Sequence, residues 1–424
     1  MTHFGIICPA GNGHRNPMTA LGRELQRRGH RVTLVGILDA KPNALAAGLE
    51  FCAIAQSEYP QGKTARVFAQ LGELSGLAAL RYTISSFQEI TTLLLENAPT
   101  IAESGIEALL VDQTTSAGGT VAEYIGIPFV TVCNALVLNQ DESVPPFFTA
   151  WNYSPTRWAR LRNQAGNYLF HRIRQPIRQV VAQYRQKFKL PLYSSPNDLY
   201  SKLAIISQQP ACFEFPRTDL PSWFHFTGPL FDSTARQPVS FPFEKLNGKP
   251  LIYASMGTIQ NRLLGVFQKI ASACEQLDAQ LVISLGGSAS PESLPELPGK
   301  PLVVKYAPQL ELLKCATLTI THAGLNTTLE SLSNGVPMVA IPITNDQPGV
   351  AARIAWTGAG EFVPLSGLSV PRLRTAIQQV LTQDSYKQNA LRLQQAIQKA
   401  GGVSRAADII EQAVSTGKPV VRST

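Results

Sequence analysis

Several features that would place a protein in a specialised class are missing from this 424-residue sequence. No CxxC, DxD or HExxH pattern of metal ligands occurs. No stretch of about 18 residues is free of charge, proline and glycine, so we expect no membrane-spanning helix. The opening residues, MTHFGIICPAGNG, lack the basic flank and long apolar core of a signal peptide. We therefore expect a cytoplasmic protein that holds no metal.

Paired cysteines are also missing, because the six cysteines are scattered and most lie in apolar runs. We expect free, buried thiols in a reducing compartment rather than disulfides. The six are Cys8, Cys52, Cys133, Cys212, Cys274 and Cys315. Hydrophobic residues make up 44% and charged residues 16% of the chain, which is typical of a folded globular protein. A chain of 424 residues favours two domains.

Acidic residues are missing altogether from residues 143–197, although the net charge of the whole chain is only +8. The stretch 157–189 carries nine Arg or Lys residues. Three interpretations remain open: a solvated helix, contact with nucleic acid, or contact with an anionic membrane surface. We expect no nucleic-acid partner, because no recognised binding motif accompanies the charge. Membrane contact would also use the aromatic residues Phe147, Phe148, Trp151, Tyr153 and Trp158.

Apolar strands alternate with amphipathic helices in both halves of the chain. The first series includes HFGIICPA, HRVTLVGI, EALLVDQ and IPFVTVCN, and the second includes PLIYASMGT, AQLVISLGG, LVVKYAP, TLTITHA and PMVAIPI. The pattern weakens near residue 240. It predicts an α/β protein of two doubly wound, Rossmann-like domains, residues 1–238 and 239–400. Ligands of such sheets bind outside the carboxyl ends of the strands.

The segment THAGLNTTLE, residues 321–330, joins one of these strands to a helix. His322 ends the strand, Gly324 turns the chain, and Asn326, Thr327 and Glu330 share a helix face. Unpaired N–H groups at a helix N-terminus suit a phosphate group, whereas Glu330 suits the hydroxyls of a ribose. Side-chain capping by Asn or Thr explains the segment equally well.

The longer stretch 306–354 resembles the donor-binding signature of family 1 nucleotide-sugar glycosyltransferases, which have the GT-B fold of two Rossmann-like domains facing a central cleft. The resemblance runs in order through Ala307, Pro308, Gln309, His322, Gly324, Asn326, Thr327, Glu330, Gly335, Pro337, Asp346 and Gln347. So many ordered matches are far more specific than a lone glycine motif. The resemblance implies a monomeric enzyme whose C-terminal helix, within 401–424, returns to the first domain.

The resemblance also implies a role for each matching residue. Tyr306, where the family often has Trp, would hold the uracil with Ala307 and Gln309. His322, Gly324, Asn326 and Thr327 would hold the diphosphate, and Glu330 the ribose. Asp346 and Gln347 would hold the sugar hydroxyls. The SMGT segment would supply a second phosphate loop through Ser255, Gly257 and Thr258.

The segment GNGHRNP, residues 11–17, follows the first strand and invites a dinucleotide-binding interpretation with Asp39 as the ribose ligand. GxGxxG fails at its third glycine, so that interpretation is the weaker one. The resemblance instead assigns His14 as the catalytic base, with Gly13 as a donor contact. Asp112, at the end of the strand ALLVD, is the partner that would orient His14, although a strand-end Asp can also form a turn.

Other segments, among them VDQTTSAGGTVAEYIGIPFVTVCNALVLNQ and FPRTDLPSWFHFTGPL, are similar to the zeaxanthin glucosyltransferases of carotenoid pathways. That resemblance implies an inverting, metal-independent transfer of glucose from UDP-glucose to a lipophilic hydroxyl, with no further cofactor. Another small acceptor (a terpenoid, phenolic or macrolide), a GT-B-fold epimerase and a non-catalytic relative remain alternatives. An insoluble acceptor would be met at the cytoplasmic face of a membrane.

Overall fold

The computed structural model describes residues 1–74, 76–231, 239–257, 264–287 and 290–422. Two fully parallel sheets, each covered by helices on both faces, form the molecule. Their strands read as short apolar runs because a parallel sheet buries both of its faces. The α/β class and the two doubly wound domains predicted from the sequence are confirmed.

The first domain contains a seven-stranded sheet with the order β3-β2-β1-β4-β5-β6-β7. Its strands are β1 His3–Ile7, β2 Arg31–Gly36, β3 Glu50–Ala53, β4 Ala108–Asp112, β5 Phe129–Cys133, β6 Ile205–Ser207 and β7 Phe224–Phe226. Its helices are α1 Asn12–Arg27, α2 Lys41–Ala46, α3 Lys63–Glu73, α4 Gly76–Glu96, α5 Ala98–Glu103, α6 Gly118–Ile125, α7 Arg157–Ile173 and α8 Gln175–Lys187. The order reverses between β1 and β4, so the loops after these two strands lie at the switch point where ligands bind.

The second domain contains a six-stranded sheet with the order β10-β9-β8-β11-β12-β13. Its strands are β8 Leu251–Ser255, β9 Gln280–Ser284, β10 Leu302–Val304, β11 Ala316–Thr321, β12 Met338–Ala340 and β13 Gly360–Phe362. Its helices are α9 Leu264–Cys274, α10 Gln309–Cys315, α11 Leu325–Ser333, α12 Gln347–Trp356, α13 Val370–Thr382 and α14 Asp384–Ala400. Here the switch point lies between β8 and β11, so the loops after these strands, including His322, line the cleft.

The two domains share a buried apolar core. Leu136 and Phe213 of the first domain pack in one cluster with Leu325, Leu329 and Ile354 of the second domain. Burial of apolar area between the domains stabilises the cleft that they enclose. The carboxyl ends of the two sheets are therefore held facing each other.

A buried ion pair crosses the same interface. Arg353, on α12, donates from Nε to Glu214 Oε1 at 2.9 Å and also from Nη2 to the same oxygen. Both side chains are buried, and the guanidinium stacks over Phe215 with its carbon 4.3 Å from the ring centre. Gln209 donates to Glu214 Oε2 at 3.2 Å. A buried charge needs such partners, because desolvation without them is costly.

Helix α15, Gly402–Thr416, packs on the first domain after the chain has completed the second. Ala406 and Ile410 lie in the same core cluster as Phe4 of β1. Arg28, at the end of α1, donates to Asp408 and to Glu411, each at 2.6 Å. The exact domain boundaries stay predictions, and residues 232–238, beside the expected boundary, lie outside the described residues.

All six cysteines are free thiols. Cys133 and Cys274 are buried and Cys8 and Cys52 are partly buried, but Cys212 and Cys315 are exposed. The expectation of buried thiols is met by Cys133 and Cys274 and was wrong for Cys212 and Cys315, because these two lie in a short surface turn, Ala211–Phe213, and at the last residue of α10. Within the described part of the chain, no helix is long and apolar enough to cross a membrane.

Candidate active site

His14 and Asp112 meet at the switch point of the first sheet. His14 Nδ1 donates to Asp112 Oδ2 across 2.8 Å. Asp112 ends β4 and its side chain is fully buried, whereas about a quarter of the His14 side chain is accessible. Because the neutral ring uses Nδ1 as its donor, Nε2 carries the lone pair. The pair thus presents one basic nitrogen toward the cleft.

The charges of this pair stabilise each other. Burial lowers the pKa of His14, but the charge of Asp112 and the hydrogen bond to it outweigh burial and raise that pKa above the ordinary 6.5. Burial also raises the pKa of Asp112, but the charge of His14 and several hydrogen bonds hold that pKa below 3.8. Asp112 is therefore a carboxylate at neutral pH, and it stabilises the imidazolium form of His14.

Asp112 is fixed by two residues that the sequence analysis did not select. Asn134 Nδ2 donates to Asp112 Oδ2 at 2.6 Å, and Thr114 donates to Asp112 Oδ1 from its backbone nitrogen at 2.8 Å and from its hydroxyl at 2.5 Å. Asn134 directly follows β5, the neighbour of β4 in the sheet. The rule that parallel strands end at one edge could have identified Asn134, because that rule also selected Asp112.

His14 lies in the first turn of α1 and not in a loop before the helix. Helix α1 begins at Asn12 and contains Pro17, so most of the segment 11–17 is the first part of this helix. Proline has no N–H, so it leaves the carbonyl four residues earlier, that of Gly13, without its helical partner. A hydrogen-bond acceptor oxygen beside His14 is thereby available to another group.

Asn326 of the second domain supplies that group. Its Nδ2 donates to the Gly13 oxygen at 3.0 Å, and its Oδ1 accepts from Gln208 Nε2 at 2.9 Å. Gln208 also donates to the backbone oxygen of Asn134 at 2.6 Å. Asn326, which is predicted to hold the diphosphate, therefore also connects the second domain to the backbone beside His14. The predicted binding site for the sugar donor lies on the second domain and is called the donor side. Asn326 Nδ2 has a second hydrogen that could reach a ligand.

The donor side is built around the N-terminus of α11. Gly324 precedes the helix and no side chain caps it, so capping by Asn326 or Thr327 is not observed. Ala323 adopts a left-handed φ of 63°, which is strained for a residue with a Cβ and is typical of functional sites. The open N–H groups and the positive end of the helix dipole suit a phosphate group.

His322 lies between two glycines at this helix end. A Cβ added at Gly324 would come within 2.5 Å of His322 Nε2, and one added at Gly257 would come within 2.6 Å of Cε1. Burial lowers the pKa of His322 to about 4, so the ring is neutral at neutral pH and can donate one hydrogen bond. The Ser255 hydroxyl accepts from the Gly257 nitrogen at 3.4 Å. Thr258, the remaining predicted member of this loop, lies outside the described residues.

Gln309 and Glu330 form a network at the base of the donor side. Gln309 Nε2 donates to Glu330 Oε2 at 2.6 Å, and Gln309 Oε1 accepts from the Tyr253 hydroxyl at 3.0 Å. The Gln309 nitrogen also lies 3.4 Å from Thr327 Oγ1. Glu330 is buried. The structure thus places Gln309 as a residue that orients Glu330, a relation that the sequence did not suggest.

Tyr306 is 47% exposed. Its hydroxyl lies where a Cβ on Gly287 would be, 2.0 Å away, so only glycine allows the ring to rest there. Gly287 has a φ of 94°, which also favours glycine. Ala307 is partly buried in an apolar cluster with Tyr253 and Leu312. An exposed ring beside a buried alanine leaves one aromatic face accessible for stacking.

Asp346 and Gln347 begin α12 and face the first domain. Asp346 Oδ2 accepts from the Leu136 nitrogen at 3.2 Å, and its charge is close enough to His14 to raise that residue's pKa further. Burial raises the pKa of Asp346 itself. Gln347 Oε1 accepts from the nitrogens of Ile343 and Thr344, so its Nε2 is the atom left to contact a ligand.

The structure does not support the dinucleotide-binding alternative, because Asp39 is not available to bind a ribose. Asp39 accepts from the backbone nitrogens of Gly62 at 2.5 Å and Thr64 at 2.8 Å, which fixes the start of α3. Arg15 donates to the Asp39 carbonyl at 3.2 Å. Both carboxylate oxygens are therefore occupied by the chain itself. In the part of the chain that the structure describes, no group of three His, Cys, Asp or Glu side chains could hold a metal ion.

Solved structures of GT-B-fold glycosyltransferases share the fold of this chain. The glycotransferase of kitacinnamycin has the same fold, with a TM-score of 0.76 over 97% of this chain and 99% of that one, at 21% identity. Residues 63–401 match the family of UDP-glucoronosyl and UDP-glucosyl transferases. This chain belongs to that family and is a glycosyltransferase, as the sequence predicted.

Two relatives extend over the whole chain. The zeaxanthin glucosyltransferase of Pantoea ananas is 33% identical over 424 residues, which are 99% of this chain and 98% of that protein. The zeaxanthin glucosyltransferase of Pseudescherichia vulneris is 31% identical over 424 residues, 99% of this chain and 100% of that protein. These two relatives confirm the resemblance to zeaxanthin glucosyltransferases that the sequence analysis found.

Proposed function

We propose that this protein transfers glucose from UDP-glucose to a hydroxyl group of a lipophilic acceptor, a hydroxycarotenoid such as zeaxanthin, with inversion and without a metal. The hydrogen bond between His14 and Asp112 carries the proposal, because it builds a base at the mouth of the cleft. The activity in the names of the two full-length relatives supports the choice of sugar and acceptor.

The reaction is a single displacement. His14 Nε2 takes the proton of the acceptor hydroxyl while the oxygen attacks C1 of the glucose. The bond between C1 and the phosphate oxygen breaks, and UDP leaves with the electron pair. Asp112 stabilises the imidazolium that forms, and Asn134 holds the carboxylate in place. One displacement at C1 inverts its configuration.

Residues of the second domain stabilise the leaving group. The N-terminus of α11 and the neutral ring of His322 offer hydrogen-bond donors to the diphosphate, and the helix dipole offsets its charge. Glu330 would accept from the ribose hydroxyls after a shift of the Gln309 amide, which now occupies Oε2. Asp346 and the Nε2 of Gln347 are the groups that would hold the sugar hydroxyls.

The proposal is tested by incubating the protein with UDP-glucose and a panel of hydroxylated acceptors, with and without a metal chelator. The panel contains zeaxanthin in detergent, a terpenoid alcohol, a phenol and a macrolide. We expect a mass gain of one hexose on zeaxanthin that the chelator does not reduce. Transfer only to another acceptor would overturn the carotenoid assignment, and UDP release without a glycosylated product would favour an epimerase.

The pH dependence of transfer reports on the His14–Asp112 pair. Because His14 must be neutral to act as a base and its pKa is raised, kcat/KM should fall as pH drops through a value above 6.5. Asp112→Asn removes the charge that raises this pKa, so burial then moves the acidic limb to lower pH. The amide can also donate to Nδ1 and fix the wrong tautomer, so we expect kcat/KM at pH 8 to fall at least about 100-fold. An acidic limb at the same pH in both proteins would contradict this coupling.

Gln208 connects the two sides of the cleft without touching the proposed ligands. Gln208→Ala removes the hydrogen bond that orients Asn326. We expect calorimetric UDP affinity to fall about 5- to 10-fold, the worth of one hydrogen bond, because Asn326 is a proposed diphosphate contact. Gln26→Ala is the matched control, because Gln26 also donates to a distant backbone oxygen, that of Gly48, but lies on the outer surface. Unchanged UDP affinity in Gln208→Ala would contradict this orienting role.

A further inference from the structure

Helix α7 turns an apolar face toward solvent. Trp158 is 77% exposed, Tyr168 66%, Leu161 57% and Leu169 56%. Their spacings of three, ten and eleven residues from Trp158 place them on one side of the helix. The buried residues of α7 are Ala159, Asn163 and Gly166, on the opposite side. A contiguous exposed apolar stripe on a folded protein marks an interaction surface.

Basic residues flank this stripe and lack acidic partners. Arg157, Arg160 and Arg172 are exposed, and within the described residues none of them forms an ion pair or hydrogen bond through its side chain. Residues 143–197 contain no acid that could neutralise them. Uncompensated cations beside exposed aromatic residues complement an anionic surface that has an apolar layer beneath it.

Other residues that the sequence grouped with this surface have structural roles. Phe147 and Phe148 pack on Phe170, with ring centres 4.9 and 5.3 Å away, and Tyr153 stacks on Phe215 at 5.6 Å. Trp151 lies under Arg162, with the guanidinium carbon 4.8 Å from the ring centre. Of the five aromatic residues expected at a membrane, Trp158 is exposed. The other four are partly buried and pack against neighbouring side chains, so they are not included in the surface proposed below.

The inner side of α7 packs on the segment that leads into the cleft. Asn163 Nδ2 donates to the Glu142 oxygen at 3.0 Å. A Cβ on Gly166 would lie 2.8 Å from Pro146, so glycine allows this close approach. Phe147 is part of the apolar core between the domains, and its backbone oxygen would be 2.0 Å from a Cβ on Gly349 of α12. Helix α7 is therefore one layer away from the cleft between the domains.

We propose that the outer face of α7, defined by Trp158, Leu161, Tyr168 and Leu169 with Arg157, Arg160 and Arg172, docks on an anionic lipid bilayer. The inference rests on the proposed function in one respect, since docking would bring a bilayer-dissolved acceptor to the cleft. The apolar side chains enter the headgroup region and the guanidinium groups pair with lipid phosphates. An anionic bilayer accounts for these unpaired arginines better than a soluble peptide does. It also accounts for them better than a second copy does, because each copy carries a net charge of +8.

Two variants separate the charged and the apolar contributions. The charge variant changes Arg157, Arg160 and Arg172 to Gln, and the apolar variant changes Trp158, Leu161 and Leu169 to Ser. Arg174 is not included, because its Nη2 donates to the Ser116 hydroxyl at 2.8 Å and it supports the fold. The matched charge control changes Lys300, Lys314 and Lys399, three exposed residues of the second domain, to Gln.

The first measurement is co-sedimentation of the purified full chain with vesicles of phosphatidylcholine alone or mixed with phosphatidylglycerol. We expect the unmodified protein to prefer the anionic vesicles and to lose affinity as salt rises. At about 1 kcal/mol for each arginine, the charge variant should bind anionic vesicles about 100-fold more weakly. The apolar variant should lose the binding that persists at high salt, and the lysine control should bind like the unmodified protein.

The second measurement separates docking from catalysis. Both α7 variants should transfer glucose more slowly to a hydroxycarotenoid dissolved in anionic vesicles and at the normal rate to a water-soluble phenol. No binding of the unmodified protein to anionic vesicles, or equal binding by all variants, would overturn the docking proposal. Self-association that the apolar variant abolishes would assign the face to a second copy and also overturn it. Vesicle binding without transfer to any acceptor would instead overturn the proposed function and leave docking supported.

Discussion

His14→Ala should lower turnover at least about 100-fold while leaving calorimetric UDP affinity within about twofold, because general-base catalysis contributes about 10²- to 10⁴-fold. The side chain of His14 lies on the first domain, whereas the proposed diphosphate and ribose contacts lie on the second. Alanine also preserves the first turn of α1, since it is the best helix former. The loss should therefore be confined to the chemical step.

His30→Ala is the matched control for this variant. His30 Nε2 pairs with Glu411 at 2.8 Å, the same kind and length of contact as that between His14 and Asp112, but it joins the residue before β2 to α15. Its loss should leave turnover per folded molecule unchanged. Turnover of His14→Ala within about tenfold of the unmodified protein would remove His14 as the base.

Glu214→Ala should cost about 3–5 kcal/mol of unfolding free energy, because it leaves Arg353 buried at the domain interface without its carboxylate partner. Arg217, whose Nε lies 3.5 Å from the same oxygen, would lose its partner too. The measurement is the midpoint of urea unfolding, monitored by tryptophan fluorescence. Trp356 reports from the interface, because its ring packs edge-on against Phe215.

Two controls identify the cause of that loss. Asp278→Ala breaks the exposed pair between Lys249 and Asp278 and should leave the urea midpoint unchanged. The double variant Glu214→Leu with Arg353→Met removes the Glu214–Arg353 pair, leaves Arg217 with its hydrogen bonds to the Asn139 and Val137 oxygens, and should recover part of the stability. A single variant with the normal midpoint would show that the pair does not stabilise the interface. A double variant no more stable than the single one would show that uncompensated charge is not the cause.

Most of the strands were predictable because they are short apolar runs. Segments such as LIYAS and TLTIT lie in the middle of a sheet that buries both faces, so local hydrophobicity alone identifies them. Strands β3, β6, β7 and β13 were not predicted, because each spans only three or four residues. Strand β13, whose sequence is GEF, is an edge strand paired on one side, so its sequence is not required to be apolar.

The site residues that lie at the carboxyl ends of strands were predictable from the sequence. The contacts between segments far apart in the sequence were not. Asp112 and His322 each follow an apolar strand, which places them at the ligand-binding edge. Glu214 and Arg353 are 139 residues apart, and the hydrogen bond from Asn326 to Gly13 joins residues 313 apart. No local pattern predicts such contacts, because they depend on how the two domains pack.

Helix α7 shows a related limit of sequence reasoning. The spacing of Trp158, Leu161, Tyr168 and Leu169 is the spacing of a buried helix face, and sequence alone does not say which side of a helix meets the core. The smaller residues Ala159 and Gly166 face inward instead, because α7 approaches the segment 142–151 too closely for larger side chains. The large apolar residues are left outside.

The anomeric configuration of the product tests the central claim most directly, namely that His14 activates an acceptor for a single displacement at C1. The measurement is the proton NMR spectrum of the glucoside made from UDP-glucose, in which glucose is α-linked, and a hydroxycarotenoid. The account predicts a β-glucoside, recognised by the large diaxial coupling of its anomeric proton, from the unmodified protein, and none detectable from His14→Ala under the same conditions. An α-glucoside, or equal amounts of product from both proteins, would contradict it.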